Sequence, residues 1–151
     1  MADEAFRVFE LSLQGFNCSQ ILVILALEAQ RKTNPELVRA TSGLVAGMGC
    51  GRLCGCVTGG CCVLGLYAGR GELDEPENAR LPFMLREFVE WFDAEFAERY
   101  GGASCDAITE GQASLRLERC PEMVLSTLHR LEAILAENGF AMNGETDAEG
   151  A

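Results

Sequence analysis

The sequence of 151 residues contains one histidine, one tryptophan and four prolines, and none of its eight cysteines forms a C-x-x-C pair. The missing spacing argues against a zinc ribbon, a thioredoxin-like active site and covalently attached haem. The single histidine, His129, falls late in a helical stretch, where a surface or capping group is expected and not a metal ligand. No Ser-His-Asp or phosphate-binding arrangement is recognisable.

The chain also lacks a basic N-terminal segment and a long apolar run. The acidic N-terminus carries no secretory or twin-arginine signal, so we expect a cytoplasmic protein. The small-residue spacing of residues 43–71 is also used by membrane helices, but Arg52 divides that run and a membrane span is disfavoured. In a reducing compartment, eight cysteines are expected to act as metal ligands or catalytic thiols more often than as structural disulfides.

Basic residues are scarce, and their distribution is uneven. Residues 1–71 carry six basic and five acidic side chains, whereas residues 72–151 carry six basic and eighteen acidic ones. An acidic half repels phosphate backbones, so we do not expect the protein to bind nucleic acid. The same half is read either as an ordinary soluble surface or as a docking face for a basic redox partner protein. A homo-oligomer is left open.

No strand signal of any length is present, and periodic apolar residues predict an all-α fold of about five or six helices around one core. We expect one domain over residues 1–142 and an acidic, disordered tail over 143–151. The predicted helices cover residues 3–15, the buried run 21–29 with its cap at Asn17–Gln20, residues 34–45, 54–68 and 79–100, a short helix from Ser104, and a last helix opened by Cys120-Pro121 and stopped at Asn138-Gly139. A polar connection is predicted over residues 109–119.

The most unusual stretch is residues 43–71, which holds five of the eight cysteines and ten of the seventeen glycines. Glycine recurs every four residues from Gly43 to Gly59. Because each glycine inside a helix costs about 0.5–1 kcal/mol relative to alanine, one unbroken helix is not expected. We predict a glycine loop through about Leu53, followed by a buried helix that lets neighbours approach closely at Gly55, Gly59 and Gly65.

Cysteines recur at the predicted helix starts. The positive end of a helix lowers a thiol pKa, and four such ends could converge in a bundle. Four thiolates in one place suit an iron–sulfur cluster or a tetrahedral zinc site, and inert buried thiols are the competing interpretation. The four residues are Cys18, Cys54, Cys105 and Cys120.

These cysteines also carry a resemblance. Cys18 in Asn-Cys-Ser-Gln, the motif Cys54-Gly55-Cys56-Val57-Thr58-Gly59 and the later Cys105 and Cys120 resemble a family of small redox-active proteins named for a C…CGAxxG…C…C pattern (C_GCAxxG_C_C). With Cys54 as the motif cysteine, Cys56 stands at the position where the pattern has alanine. A register shifted by one residue, Gly55 to Gly60, would instead make Cys56 the motif cysteine. The resemblance implies redox activity, and a similar domain accompanies haem in some cytochromes, where an iron–sulfur cluster is suspected.

Four functions therefore remain open at this point. The first is electron transfer through an iron–sulfur cluster, with [2Fe–2S] favoured, ligated by Cys18, Cys54, Cys105 and Cys120. The glycines Gly55 and Gly59 would form the cofactor wall, with Cys56 and Cys50 as alternative ligands. The second is thiol–disulfide exchange by two of the same four cysteines, the third a structural zinc domain, and the fourth a helical interaction protein. Cys50, Cys61 and Cys62 could extend the site or pack as small side chains, and packing is expected for Cys61. Whether the chain is an enzyme stays open; it would be an oxidoreductase component without a substrate pocket of its own.

Overall fold

The computed structural model describes residues 2–145, and its secondary structure is helical. The helices are α1 Ala2–Leu13, α2 Cys18–Ala29, α3 Pro35–Thr41, α4 Gly55–Ala68, α5 Leu81–Phe92, α6 Glu98–Tyr100, α7 Cys105–Thr109 and α8 Ala113–Glu137. A π-helical turn, Asp93–Ala97, joins α5 to α6 without a break. Within residues 2–145 the β-type pairing is one isolated bridge, Leu53 with Ser104. The all-α prediction is confirmed, and residues 146–151 of the predicted tail lie outside the described residues.

Helices α2 and α4 form the centre of the core. Their residues are apolar on nearly every side, and most of both helices is buried. They approach closely because glycine leaves room: a Cβ placed on Gly59 would lie 2.6 Å from the Cα of Ser19. Close approach is thus confirmed at Gly55 and Gly59. It is wrong for Gly65, whose Cβ would meet nothing within 4 Å, whereas Gly60 packs on the ring of Phe88.

The amphipathic helices α5 and α8 cover this pair. The apolar and aromatic side of α5 is buried at Leu81, Met84, Phe88 and Phe92. Phe96 in the following turn is also buried. Helix α1 contributes Val8 and Leu11 to the core. Its more regular apolar series faces solvent instead, with Phe6, Phe9 and Leu13 exposed by 65%, 54% and 73%.

Helix α8 begins earlier than its sequence suggests. The predicted polar connection over 109–119 and a helix start at Cys120 are both wrong, because α8 begins at Ala113 and contains Pro121. Residues 113–120 are mostly good helix formers, and the chain reverses before them at Glu110 and Gly111, both with positive φ. Proline removes one backbone hydrogen bond but leaves the remaining turns intact. Cys120 therefore lies inside a helix, with its carbonyl and amide groups in the helical ladder.

The glycine-rich loop is confirmed between α3 and α4. Helix α3 ends at Thr41, about four residues before the predicted end, and passes into a short 3₁₀ turn, Ser42–Leu44. The backbone then adopts left-handed conformations at Ala46, Gly47, Met48, Gly49 and Gly51. Within residues 2–145 no helix combines the length and apolar content needed to cross a bilayer.

A candidate thiol redox site

Cys18 is the first residue of α2. The backbone N–H of Asn17 donates to Oε1 of Gln20 at 3.3 Å, so the predicted cap at this end is formed. α2 is twelve residues long, and its N-terminal end favours negative charge. The Cys18 thiol is partly buried against the core. This placement confirms that the first cysteine sits at a helix start.

Cys54 and Cys105 are brought together by a short antiparallel pairing. The N–H of Cys54 donates to the carbonyl of Ala103 at 2.9 Å, and the N–H of Cys105 donates to the carbonyl of Arg52 at 2.7 Å. Cys54 caps α4, and Cys105 opens α7 directly after the capping side chain of Ser104. Two cysteines that are 51 positions apart thus belong to adjacent backbone segments. No spacing in the sequence indicates this pairing.

Cys120 reaches the site from the side of α8 and not from its end. Arg116 lies one turn earlier on the same helix, and its Nη2 is 3.8 Å from Sγ of Cys105. Burial and the nearby Cys18 and Cys105 raise the pKa of Cys120 to about 12, while Arg116 acts in the opposite direction. Sequence reasoning missed Arg116, although its i, i+4 relation to Cys120 would have shown it once α8 was extended to Ala113.

These four cysteines line one cavity of about 160 Å³. Its wall also includes Phe16, Ala46, Gly55, Ile108 and Val124, so the thiols sit in mostly apolar surroundings. The glycine at position 55 is required there, because a Cβ would lie 2.7 Å from Sγ of Cys18. Gly59, the other predicted wall residue, packs on Ser19 and does not line the cavity.

A three-thiol contact joins Cys18 to Cys54, which also lines the cavity, and to Cys56, which does not. Hydrogen bonds from the thiols of Cys54 and Cys56 hold the pKa of Cys18 well below its usual value, against the effect of burial. The hydrogen bond to Cys18 correspondingly raises the pKa of Cys54 and, with burial, that of Cys56. Sγ of Cys54 also accepts from the N–H of Cys56 at 3.4 Å. These contacts favour the thiolate form of Cys18 over that of its two neighbours.

The remaining cysteines lie away from the cavity. Cys50 is exposed on the glycine loop, where its thiol donates to the carbonyl of Gly47 at 3.5 Å. Cys61 packs against the core, and burial raises its pKa to about 11. Cys62 is exposed. None of the three lines the cavity wall.

The donor set suits thiolate-bound cofactors, but its spacing does not suit a single ion. Among residues 2–145, no three His, Cys, Asp or Glu side chains are grouped as one bound metal ion requires. A tetrahedral zinc ion needs four sulfurs at about 2.3 Å from a common point. The cavity thiols instead surround a space, and Gly55 keeps that space open beside Cys18.

Comparison with protein-family models gives a match over most of the chain. Residues 16–134 match a family model described as "Putative redox-active protein (C_GCAxxG_C_C)". The chain belongs to this family. The matched residues include Cys18, Cys54, Cys105 and Cys120. No curated protein and no solved structure matches the chain.

The family pattern also fixes the order of its central motif, which is glycine, cysteine, alanine, two further residues and glycine. This order differs from C-G-A-x-x-G, the order that makes Cys54 the motif cysteine. The glycine–cysteine order with a second glycine four residues after the cysteine occurs at Gly55–Gly60, where Cys56 is the cysteine and Val57 replaces alanine. It occurs again at Gly60–Gly65, where Cys61 would be the cysteine. Cys56 contacts Cys18, whereas Cys61 lies away from the cavity. The first window therefore fits the site, and it makes Cys56 the motif cysteine and Cys54 its neighbour.

Proposed function

We propose that this redox-active protein transfers electrons through an iron–sulfur cluster held at the cysteine cavity by Cys18, Cys105, Cys120 and one thiol from the start of α4. The observation that carries the proposal is the meeting of thiols from four distant segments around one apolar space. When bound, a cluster of this kind supplies a redox couple at thiolate-ligated iron. A [2Fe–2S] cluster is the favoured type.

The chain's own residues support such a centre in three ways. Hydrogen bonds from Cys54 and Cys56 lower the pKa of Cys18 and so favour its thiolate, which is the form that binds iron. Arg116 places a positive charge 3.8 Å from the Cys105 sulfur, on the wall of the cavity. The apolar wall limits access of water, and hydrogen bonds to sulfur together with burial set the potential.

The α4 ligand is assigned to Cys56. Two observations support this choice: the G-C-A-x-x-G order in the family's name fits Gly55–Gly60 with Cys56 as the cysteine, and the Cys56 thiol is in hydrogen-bond contact with Cys18. Cys54 lines the cavity and donates to Cys18 from the other side, so it is the alternative ligand. Separate Cys54→Ser and Cys56→Ser variants decide between them. Loss of bound iron is expected in Cys56→Ser, and loss in Cys54→Ser alone would transfer the assignment to Cys54.

A second candidate function rests on the three-thiol contact. Thiol–disulfide exchange would begin with the Cys18 thiolate attacking one sulfur of a partner disulfide, which forms a mixed disulfide and releases the other partner sulfur as a thiolate. Cys54, once deprotonated, would attack the Cys18 sulfur, form a Cys18–Cys54 disulfide and release the second partner thiol. Two electrons thereby reduce the partner. The lowered pKa of Cys18 beside two thiols favours this candidate.

Anaerobic purification separates the two functions. A cluster gives visible absorption at about 400–600 nm with matching iron and acid-labile sulfide. A colourless protein that loses two free thiols on mild oxidation supports the exchange reaction. Cys62→Ser is the matched control, because Cys62 is exposed and does not line the cavity.

The acidic half of the chain is proposed as the face for a basic redox partner. Residues 72–151 carry an excess of acidic side chains, several of them exposed on the turn Asp93–Ala97 and on α6. Attraction between exposed charges weakens with salt, since the Debye length falls from about 10 Å at 0.1 M to about 3 Å at 1 M. Electron transfer to a basic acceptor protein should therefore slow as ionic strength rises, and a salt-independent rate would contradict this part of the proposal.

A further inference from the structure

A second and larger depression lies on the other side of α2 from Cys18. This groove is enclosed by α1, α2, α3 and the 30–34 connection, and its volume is about 510 Å³. Such a volume lies within the range of small-molecule sites, roughly 300–1,000 Å³. Its floor is apolar and consists of Leu11, Phe16, Ile24, Leu27 and Val38.

The rim of the groove carries cations of two kinds. Arg7 is engaged by the carboxylates of Glu10 and Glu28. Lys32 and Arg39, by contrast, have no hydrogen bond or ion pair to any side chain in the part of the chain that the structure describes. Their charge is available to a negatively charged group.

The walls of the groove are held in place by polar contacts. Nε2 of Gln20 donates to the carbonyl of Val38 at 3.4 Å, and Oγ of Ser19 donates to the carbonyl of Thr41 at 3.1 Å. Oδ1 of Asn34 accepts from the N–H of Leu37 at 3.0 Å and fixes the start of α3. The groove is therefore largely formed before a ligand enters, which reduces the entropy that binding costs.

We propose that this groove binds a small organic anion with an apolar body and one carboxylate. The apolar body would cover the floor, and the carboxylate would lie between Lys32 and Arg39, where charge-assisted hydrogen bonds are strong. An uncharged or cationic apolar molecule would leave these two cations without a partner. This proposal is independent of the nature of the redox centre.

The position of Phe16 connects the groove with the cysteine cavity. Phe16 contributes to the wall of both spaces, and Cys18 follows it by two residues. A ligand on the groove floor would therefore contact a ring that also borders the cavity. Binding in the groove is expected to alter the surroundings of Cys18 without touching it.

Titration calorimetry with decanoate, 1-decanol and decyltrimethylammonium tests the assignment on the full-length protein. Decanoate should bind saturably below about 1 mM, and both other probes should bind at least about tenfold more weakly. The double variant Lys32→Gln/Arg39→Gln should weaken decanoate binding by about tenfold or more, because its charge-assisted contacts are removed. Arg86→Gln is the matched control: Arg86 is an exposed cation on α5 and does not line the groove.

The result that would overturn the proposal is the absence of saturable decanoate binding, or equal affinity for 1-decanol. Unchanged affinity in the double variant, with a native far-ultraviolet spectrum, would overturn it as well. A chain that ends at Glu145 should bind decanoate as the full chain does. Markedly tighter binding by that shorter chain would show that the acidic C-terminal residues are the occupant, and would likewise refute an external ligand.

Discussion

Two alanine substitutions in α4 should have opposite effects, although both replace a glycine inside the same helix. Alanine favours a helix over glycine by about 0.8–1.0 kcal/mol. At Gly65 the new Cβ meets nothing within 4 Å, so Gly65→Ala should stabilise the protein by about that amount. At Gly59 the Cβ would lie 2.6 Å from the Cα and 3.1 Å from the carbonyl oxygen of Ser19. Both atoms belong to the backbone of α2, so the helices must separate.

Overpacking of a buried site costs about 1–3 kcal/mol, which exceeds the helix-propensity gain. We expect Gly59→Ala to lower the free energy of unfolding by up to about 2 kcal/mol, and the two variants to differ by about 1–3 kcal/mol. Urea unfolding followed by circular dichroism measures both values, provided that the m-value is unchanged. Equal effects of the two substitutions would refute the close packing of α2 on α4. Because Ser19 follows Cys18, Gly59→Ala should also alter the redox centre, whereas Gly65→Ala should not.

Three further predictions follow from individual groups. In the protein without bound metal, alkylation at pH 6 with mass-spectrometric mapping should label Cys18 before Cys61 and Cys120. The lowered pKa of Cys18 favours its reactive thiolate, whereas burial raises the pKa of the other two. Labelling of Cys61 first would contradict this order. Thr127→Val should stabilise by about 1 kcal/mol, since the buried Oγ1 has no hydrogen-bond partner within residues 2–145, and a loss of stability would reveal such a partner. Burial, followed by the negative charge of Glu4, raises the pKa of Glu132 in the folded protein, so ionisation of Glu132 opposes folding above that pKa. Glu132→Gln should therefore stabilise the protein by less than about 1 kcal/mol at pH 7. It should have no effect near pH 4, where the carboxyl is mostly protonated in both the folded and the unfolded protein.

Local signals predicted most of the fold. The caps at Asn17, Asn34 and Ser104, the left-handed Gly101 and the stop at Asn138-Gly139 all fall where the sequence places them. Each depends on residues within one turn, so a single sequence contains the necessary information. The start of α8 was wrong for a related reason: Pro121 is a strong helix-start signal, and only packing of the later turns makes an internal proline tolerable.

The arrangement of the site depended on long-range contacts. Helix starts predicted Cys18, Cys54 and Cys105 individually, and the structure places them with Cys120 around one cavity. The pairing of residues 52–54 with 103–105, which joins Cys54 to Cys105, leaves no local trace in the sequence. The same holds for the contact of Cys56 with Cys18. That contact arises from the close approach of α2 to α4 and not from any cysteine spacing.

The most direct test of the central claim is the iron and acid-labile sulfide content of anaerobically purified protein, compared between Cys105→Ser and Cys62→Ser. Cys105 lines the cavity and Cys62 does not, although the two chains differ from the parent by the same change of one atom. For a [2Fe–2S] cluster at the cavity, we expect about two iron and two sulfide per chain in the parent and in Cys62→Ser, with both lost in Cys105→Ser. Parent protein without iron, or equal iron in the two variants, would contradict a cysteine-ligated cluster at this cavity.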